Sequence, residues 1–375
     1  MIFLIFLIFS NSKTSTLRCR QQQMPIFLFL PRLFSLLFLS FLLFTSCKNN
    51  TEIAFYHWKT AFNPSNEEVN ILNQLKTKQI YTKFFDVSWD EETKSTKPQA
   101  EVIFSKTNLS YKGFEIVPTV FITNKSILNT TDDKINLLAE RIFNRIMLIS
   151  NTNQLKIKEI QLDCDWSARS EDKYFQLISI IKKLAKTKNI LVSCTIRLHQ
   201  YKYQPKVGVP PADKGVLMCY NIGELRGDTT NTNYNSILDI NIAQSYLKDT
   251  KKYPLPLDFA LPIYSWAVVL RDKQVINLIN DINLAYLLQN PTKYAKITEN
   301  SFKVLSSHYL EGTYLYQNDI IRVEESTPRQ LKQAILLLND SKNSTNSKLL
   351  FYHLSKTNLQ QFNYETIKNI AQGFH

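Results

Sequence analysis

The sequence predicts an α/β protein built on a (β/α)8 barrel of the TIM type. Short apolar stretches recur along the 375-residue chain, and segments with helical periodicity separate them. No G-x-G-x-x-G motif follows any of these stretches, which disfavours the alternative of a doubly wound open sheet. Eight strand–helix units favour closure into a barrel, and we assign residues 53–375 to this one domain.

Each predicted strand is rich in β-branched, aromatic or aliphatic residues, and helical patterns fill most of the gaps. Thr327 before Pro328, and Asp132, are the expected N-caps of two of these helices. The predicted strands are Ile53–Trp58, Ile80–Asp86, Glu115–Ile122, Lys158–Asp165, Ile190–Leu198, Gly215–Asn221, Leu257–Tyr264 and Lys348–His353. The predicted helices are Glu67–Lys76, Asp132–Ser150, Glu171–Lys186, Ile237–Lys248, Val275–Leu288 and Pro328–Asn339.

The stretch Phe302–Val323 departs from this alternation of strands and helices. Tyr309, Tyr314 and Tyr316 alternate with other residues around Gly312, a pattern typical of an antiparallel hairpin. We therefore predict a β-hairpin inserted before the last strand of the barrel.

The first 46 residues contain no Asp or Glu and hold two apolar runs with basic residues between them. A basic flank, an apolar run and small residues before Cys47 predict a lipoprotein signal peptide over residues 1–46, with Cys47 lipidated and 47–52 a short linker. Met24 would start a signal of ordinary length, so residues 1–23 fit an over-extended start. A transmembrane anchor over residues 26–44 is the alternative. Both readings place the domain in the cell envelope, tethered to a membrane on its periplasmic or surface side.

The chain has 45 basic and 32 acidic residues, a net charge of +13. Four of the basic residues precede Cys47, so the mature excess falls to +9. The lysines are spread along the chain rather than gathered in a basic run, which argues against a nucleic-acid partner. We expect a monomer whose partners are a glycan and, through the lipid, a membrane.

Three cysteines, Cys164, Cys194 and Cys219, lie within predicted strands without any C-x-x-C spacing. Such an odd set predicts buried thiols rather than a disulfide scaffold or a zinc site. The histidines are also scattered, with no metal-binding spacing, so we predict no metal and no cofactor.

The stretch Glu159–Trp166 is the most informative part of the chain. Its polar residues Gln161, Asp163 and Asp165 alternate with apolar ones, so both carboxylates point to the same side of a strand. Acidic groups at the end of a strand are costly to desolvate unless they are paired or used. The pattern therefore predicts a polar site centred on these carboxylates.

Charged and aromatic residues also gather where the other predicted strands end, which is where barrels of this kind carry their sites. Aromatic rings stack on sugar rings, and carboxylates and amides bind sugar hydroxyls, so this mixture favours a carbohydrate site. We take Asp163, Asp165 and Glu224 as candidate catalytic residues. The candidate substrate-binding residues are His57, Trp58, Asp86, Trp166, Arg197, His199, Tyr220, Asn221, Tyr264, Trp266 and His353.

Two short motifs resemble barrel-type glycoside hydrolases, nearest to the chitinase-like family eighteen. Asp163-Cys164-Asp165-Trp166 matches the first four positions of the family's D-x-D-x-E pattern, and Met218-Cys219-Tyr220-Asn221 is similar to its strand-six M-x-Y-D motif. The resemblance implies that Asp165 steadies the reacting substituent of the sugar, while Tyr220 and Asn221 contact the substrate. The chain also resembles bacterial lipoproteins that carry a hydrolase-like barrel.

Two departures from the family pattern affect the implied activity. Ser167 occupies the position of the catalytic Glu, and Asn221 stands where the family has Asp. Substrate-assisted hydrolysis needs that Glu as its proton donor.

Three hypotheses follow. The first is a membrane-anchored glycosidase in which Asp163 or Asp165 works with Glu224 or Asp86 across the groove. The second is a barrel that binds a glycan without cleaving it. The third is a structural lipoprotein in which Asp163 and Arg197 form a buried ion pair.

Overall fold

The computed structural model describes residues 51–225 and 234–375. The predicted signal peptide and the lipidation of Cys47 lie outside the described residues. Eight parallel strands form a closed barrel, because the first strand pairs with both the second and the last. The barrel strands are β1 (Ile53–His57), β2 (Gln79–Asp90), β3 (Glu115–Ile122), β4 (Glu159–Asp163), β5 (Leu191–Arg197), β6 (Lys214–Met218), β7 (Leu257–Pro262) and β8 (Leu349–Tyr352).

The helices pack on the barrel through apolar stripes. In the helix Asp132–Thr152, buried Ile135, Leu138, Ile142 and Ile146 recur at helical spacing and form one side. The described helices are Asn66–Gln74, Asn124–Asn129, Asp132–Thr152, Glu171–Lys186, Leu198–Lys202, Gln204–Val207, Ile240–Leu247, Leu284–Leu288, Pro328–Ser341, Lys356–Gln361 and Tyr364–Ala371. Among them, none combines the length and apolar character that crossing a bilayer requires.

The two predicted N-caps have different outcomes. Thr327 caps its helix as predicted, because its Oγ1 accepts from the Gln330 N–H at 3.3 Å while the Gln330 side chain accepts from the Thr327 N–H at 3.1 Å. The other prediction is off by one residue, since Thr131 is the N-cap and Asp132 is the first helical residue. An acidic first turn still suits the helix dipole there.

The connection between β2 and β3 contains no α-helix. Strand β2 instead continues beyond the barrel and pairs antiparallel with Ser95–Gln99. A short parallel pair, Ala61–Phe62 with Ile103–Phe104, and the 3₁₀ turn Ser110–Gly113 complete this region.

The insertion before β8 is larger than the predicted hairpin. It is a five-stranded antiparallel sheet with its own apolar core. The predicted hairpin is confirmed within it, since His308–Leu310 pairs with Thr313–Leu315 around Gly312. The strands of the larger sheet are Ser265–Arg271, Gln274–Asn280, Tyr294–Lys296, Ser301–Val304 and Ile320–Glu325.

The predicted helix Val275–Leu288 is wrong over most of its length. Gln274–Asn280 is a strand, and only Leu284–Leu288 is helical. The reason is a tight turn at Asp272 and Lys273, whose φ angles of 50° and 62° give the two-residue connection that joins antiparallel strands. Neither residue type signals such a turn as Asn-Gly does.

Candidate functional site

The carboxyl ends of the barrel strands form a rim that we call the mouth, and the amino ends form the floor. Asp163 ends β4, and its side chain is buried in the barrel interior. The Thr195 hydroxyl of β5 donates to its Oδ1 at 2.6 Å. Glu159 and Gln161 precede it at two-residue spacing on the same strand, so one face of β4 carries three polar groups from floor to mouth.

Burial raises the pKa of Asp163 from 3.8 to about 6, and the negative charges of Asp165 and Asp86 raise it as well. The hydrogen bond from Thr195 and the positive charge of Arg197 oppose this rise. The carboxyl therefore changes its protonation state near neutral pH, where it can exchange a proton with a bound molecule.

Asp165 and Arg197 form a two-point ion pair at the mouth. Arg197 Nε lies 2.7 Å from one carboxylate oxygen, and Nη2 donates to the other at 3.0 Å. The predicted alternative, a pair between Asp163 and Arg197, is thereby corrected. Thr195 is the β5 residue that reaches Asp163, and Arg197, two residues further along the same face, reaches Asp165. The buried Nη1 of Arg197 has no hydrogen-bond partner within residues 51–225 and 234–375.

A second ion pair lies on the neighbouring side of the mouth, between Lys83 and Asp86 of β2. Lys83 Nζ is 3.2 Å from the Asp86 carboxylate and 5.9 Å from the ring centre of Trp58. An irregularity in the pairing of β2 with β3 after Lys83 lets residues three apart meet. The sequence prediction omitted Lys83, although a lysine inside an otherwise apolar buried strand was the available signal.

Aromatic rings surround these charges. Tyr352 of β8 lies at the centre, stacked on Tyr220 at 5.0 Å and edge-on to Trp58 and Tyr264 at 5.5 Å each. Trp266 extends the group, with its ring 5.5 Å from Tyr264. Four of these five residues were predicted from the strand ends. Tyr352 was missed, although alternation along β8 signals it.

His57 and His353 lie at the β1 and β8 ends of the mouth. His57 is buried with its ring edge-on to Phe62 at 4.6 Å. Burial, and then the nearby His353 and Lys59, lower the pKa of His57 to about 3. Burial also lowers the pKa of His353. Both rings are therefore neutral at physiological pH.

Asn221 and His199 lie on the outer part of the mouth. Asn221 is exposed with a φ of 52°, and its side-chain oxygen accepts from the Tyr264 hydroxyl. His199 is exposed at the start of the helix Leu198–Lys202. Partial burial and the charge of Arg197 lower the pKa of His199.

The structure does not bring Trp166 and Glu224 into this cluster. Trp166 is fully buried, its Nε1 donates to the Val207 carbonyl at 2.7 Å, and its ring stacks on Tyr174 at 5.5 Å. Because it directly follows Asp165, its side chain points to the opposite side, where it packs against the helix Glu171–Lys186. This position corrects its assignment to the substrate surface. Glu224 is exposed on the loop after β6, where its carbonyl accepts from the Tyr234 hydroxyl.

The insertion supplies one wall of the mouth through Trp266. The indole Nε1 donates to Glu324 at 3.1 Å, and this buried carboxylate is also 2.8 Å from Arg322 and accepts from the Ser236 N–H at 2.9 Å. Arg322 and Ser236 fix the position of the Glu324 carboxylate, which in turn holds the indole in place. Glu324 was not predicted, because no local pattern shows that the insertion packs against Ser236, which lies between β6 and the helix Ile240–Leu247.

The remaining sequence expectations concern thiols and metals. Cys164, Cys194 and Cys219 are buried free thiols, as predicted, and burial raises the pKa of Cys219 to about 12. Within the described part of the chain, no three His, Cys, Asp or Glu side chains gather as they would around a metal ion.

Comparisons with known proteins show the fold. No protein-family model matches the chain, and no curated protein matches it. Among solved structures, it is similar to the spore cortex-lytic enzyme SleL of Bacillus megaterium QM B1551, with 13% identity and a TM-score of 0.51 over 87% of this chain and 74% of that one. It is also similar to the C-terminal domain of a candidate chitinase from Desulfitobacterium hafniense DCB-2, with 8% identity and a TM-score of 0.53 over 86% and 99%. At such identities the shared feature is the barrel fold.

Proposed function

We propose that the protein binds a glycan at the mouth of its barrel and does not cleave it by the family-eighteen mechanism. The supporting observation is the convergence of the Asp165–Arg197 pair and buried Asp163 with the ring cluster around Tyr352. Aromatic faces pack on sugar rings, while carboxylate and guanidinium groups bind hydroxyls and amides.

The substrate class we infer is a glycan of the cell envelope that contains N-acetylated amino sugars. The D-x-D motif at Asp163 and Asp165 supports this class by resemblance to chitinases. The similarity in fold to a spore cortex-lytic enzyme and to a candidate chitinase agrees with it. A lipid on Cys47, which we also propose, would hold the mouth close to such a glycan.

The absence of cleavage follows from the residue at the position of the acid. Ser167 lies there, and its N–H donates to the Ser170 hydroxyl at 3.0 Å. An aliphatic hydroxyl is far too weak an acid to protonate the oxygen of a leaving sugar. Asp165 and Asp86 both contact cations, Arg197 and Lys83, an arrangement that suits binding of polar groups.

One observation favours a second candidate function, hydrolysis with Asp163 as the acid. A buried carboxyl with a pKa of about 6 beside aromatic rings has the properties of a general acid. In this hypothesis Asp163 replaces the missing Glu.

The two candidates are separated by calorimetry on the full chain with N-acetylchitohexaose, beside an assay for released reducing ends. We expect binding without release. Trp58→Ala should weaken binding about tenfold through loss of a stacking surface. Tyr309→Ala is the matched control, because that ring is 71% exposed on the hairpin of the insertion and packs on Tyr314 rather than on the ring cluster of the mouth.

Release of sugar that Asp163→Asn abolishes would establish the second candidate instead. Neither binding nor release, with chitin oligosaccharides and with solubilised peptidoglycan fragments, would refute both. Binding that Trp58→Ala and Tyr309→Ala leave equally unchanged would move the site away from the mouth.

A further inference from the structure

We propose that a groove on the outer side of the barrel, the lysine groove, is a second binding site and takes an anionic polysaccharide. It lies between the helices Leu198–Lys202 and Gln204–Val207 on one side and Ile240–Leu247 with the following loop on the other. Its volume is about 970 Å³. Its lining includes Lys202, Tyr203 and Gln204 on one side and Gln244, Lys248 and Lys251 on the other.

The charge of the groove is positive. Lys202, Lys248 and Lys251 line it, and among the described lining residues Asp249 is the one acid. Lys248 and Lys251 are exposed, and neither forms an ion pair within residues 51–225 and 234–375. Their ammonium groups are thus available to carboxylate or phosphate groups of a ligand.

An exposed aromatic ring lies among these charges. Tyr203 is 44% exposed, with Lys202 Nζ at 5.7 Å and Lys206 Nζ at 6.0 Å from its ring centre. Tyr246 meets it edge-on at 6.5 Å. A ring flanked by ammonium groups suits a sugar that carries an acidic substituent, because the ring packs on the sugar face while the lysines bind the acid.

Two hydrogen bonds tie the walls of the groove together. Lys202 Nζ donates to the Ser245 carbonyl at 2.6 Å, and Gln204 Nε2 donates to the Lys251 carbonyl at 3.2 Å. The groove is therefore preformed, which lowers the entropic cost of binding. Exposed amides at Asn241 and Gln244 add groups that bind hydroxyls, and the concave shape fits a polymer chain better than a flat bilayer.

This inference does not depend on the function proposed for the mouth. The lysine groove is built from the helices and loops outside β5 and β6, and none of its lining residues belongs to the ring cluster. A negative binding result at one site would therefore not contradict the proposal for the other.

The test is titration of the full chain with polygalacturonate, and with dextran as the neutral control, at low and high salt. We expect polygalacturonate to bind and to weaken as salt screens the lysines, and dextran not to bind. Lys248→Glu/Lys251→Glu should weaken binding at least tenfold. Lys112→Glu/Lys156→Glu makes the same change of charge on exposed lysines outside the groove and should have little effect.

Tyr203→Ala is a second variant that leaves the charge unchanged, and we expect it to weaken binding severalfold. Equal binding by the two double variants, or equal binding of dextran, would overturn the proposal. Tighter association with phosphatidylglycerol vesicles than with polygalacturonate would also overturn it, since the groove would then serve a lipid surface.

Discussion

The floor and the mouth of the barrel each contain a buried carboxylate of β4, but within the described part of the chain only the one at the floor has a cation as its partner. Glu159 and Asp163 lie on the same face of β4, and both are buried. Glu159 is 2.9 Å from Lys214 Nζ and accepts from the Ser193 hydroxyl at 2.7 Å. Among the described residues, Asp163 accepts one hydrogen bond, from Thr195, and forms no ion pair. The strand thus carries a compensated carboxylate at one end and an uncompensated one at the other.

At the floor, each buried charge has a partner of opposite charge. Lys214 Nζ lies 2.9 Å from Glu159 and 2.8 Å from Asp258, and it donates to the Tyr81 hydroxyl at 3.2 Å. Burial by itself lowers the pKa of Lys214, but the attraction of the two carboxylates outweighs it and the net pKa is raised. Removing one partner from the floor would leave a buried charge uncompensated, which is costly. At the mouth, Asp163 and the Nη1 group of Arg197 keep hydrogen-bonding capacity for a ligand.

The largest expected effect comes from breaking the floor. Lys214→Met leaves Glu159 and Asp258 buried without a cation, and we expect the free energy of unfolding to fall by about 3–5 kcal/mol. Urea unfolding followed by circular dichroism measures this loss. Lys158→Met is the matched control, because that lysine also pairs with a carboxylate, Glu115 at 2.9 Å, but is 76% exposed. Equal losses in the two variants would remove the contrast between a buried and an exposed ion pair.

The next effect is the pH dependence that Asp163 gives to the free energy of unfolding. Its pKa is raised from 3.8 to about 6, so the folded protein binds this proton more tightly than the unfolded chain does. Its contribution to stability is therefore full below pH 3.8 and falls as the pH rises to about 6. Asp163→Asn should remove this fall, a difference of at most about 3 kcal/mol at neutral pH. Unfolding free energies across this range provide the measurement.

The control for that experiment is Glu92→Gln, because Glu92 is exposed in the turn between β2 and Ser95–Gln99 and forms no ion pair among the described residues. It should leave the stability–pH curve parallel to that of the wild type. A parallel curve for Asp163→Asn as well would mean that Asp163 titrates as an ordinary surface acid.

A smaller effect is expected from Arg197, whose charge lowers the pKa of Asp163. Arg197→Gln should raise that pKa further, so that the loss of stability continues to a pH up to about one unit higher. Carbon-13 NMR titration of the aspartate carboxyl groups reads the shift directly. Arg145→Gln, which breaks the pair with Glu101 at 2.6 Å, should leave it unmoved. An unchanged titration of Asp163 in Arg197→Gln would contradict the assigned electrostatic coupling.

Local patterns predicted most of the barrel strands. Alternation over Glu159–Trp166 predicted a strand with Asp163 and Asp165 on the same side, because side-chain direction in a strand has a period of two. The strand itself is Glu159–Asp163, and Asp165 follows its end. In β8 the same period selects Tyr352, the neighbour of the predicted His353, as the residue that faces the ring cluster. Trp166 directly follows Asp165, so the same period directs it to the opposite side, where its ring packs on Tyr174 of the helix Glu171–Lys186.

Local sequence patterns do not predict contacts between residues that lie far apart in the chain. The sequence of the insertion predicts a hairpin and a helix, since no short-range signal marks the turn at Asp272 and Lys273. The contact of Glu324 with Trp266 joins residues from two strands of that insertion. The lysine groove combines residues about forty apart, as in the 43-residue separation of Lys202 and Ser245, although the lysines look evenly spread in the sequence.

By itself, the sequence determined the eight barrel strands, most of the helices between them and the alternating polar residues of β4. These depend on hydrophobic periodicity and on the fixed geometry of a single strand or helix. Only the tertiary structure decided which cation meets which carboxylate: Lys214 with Glu159, Arg197 with Asp165, and none with Asp163 among the described residues. Such pairings depend on the register and closure of eight strands, and the sequence of one strand contains no information about the register of its neighbours.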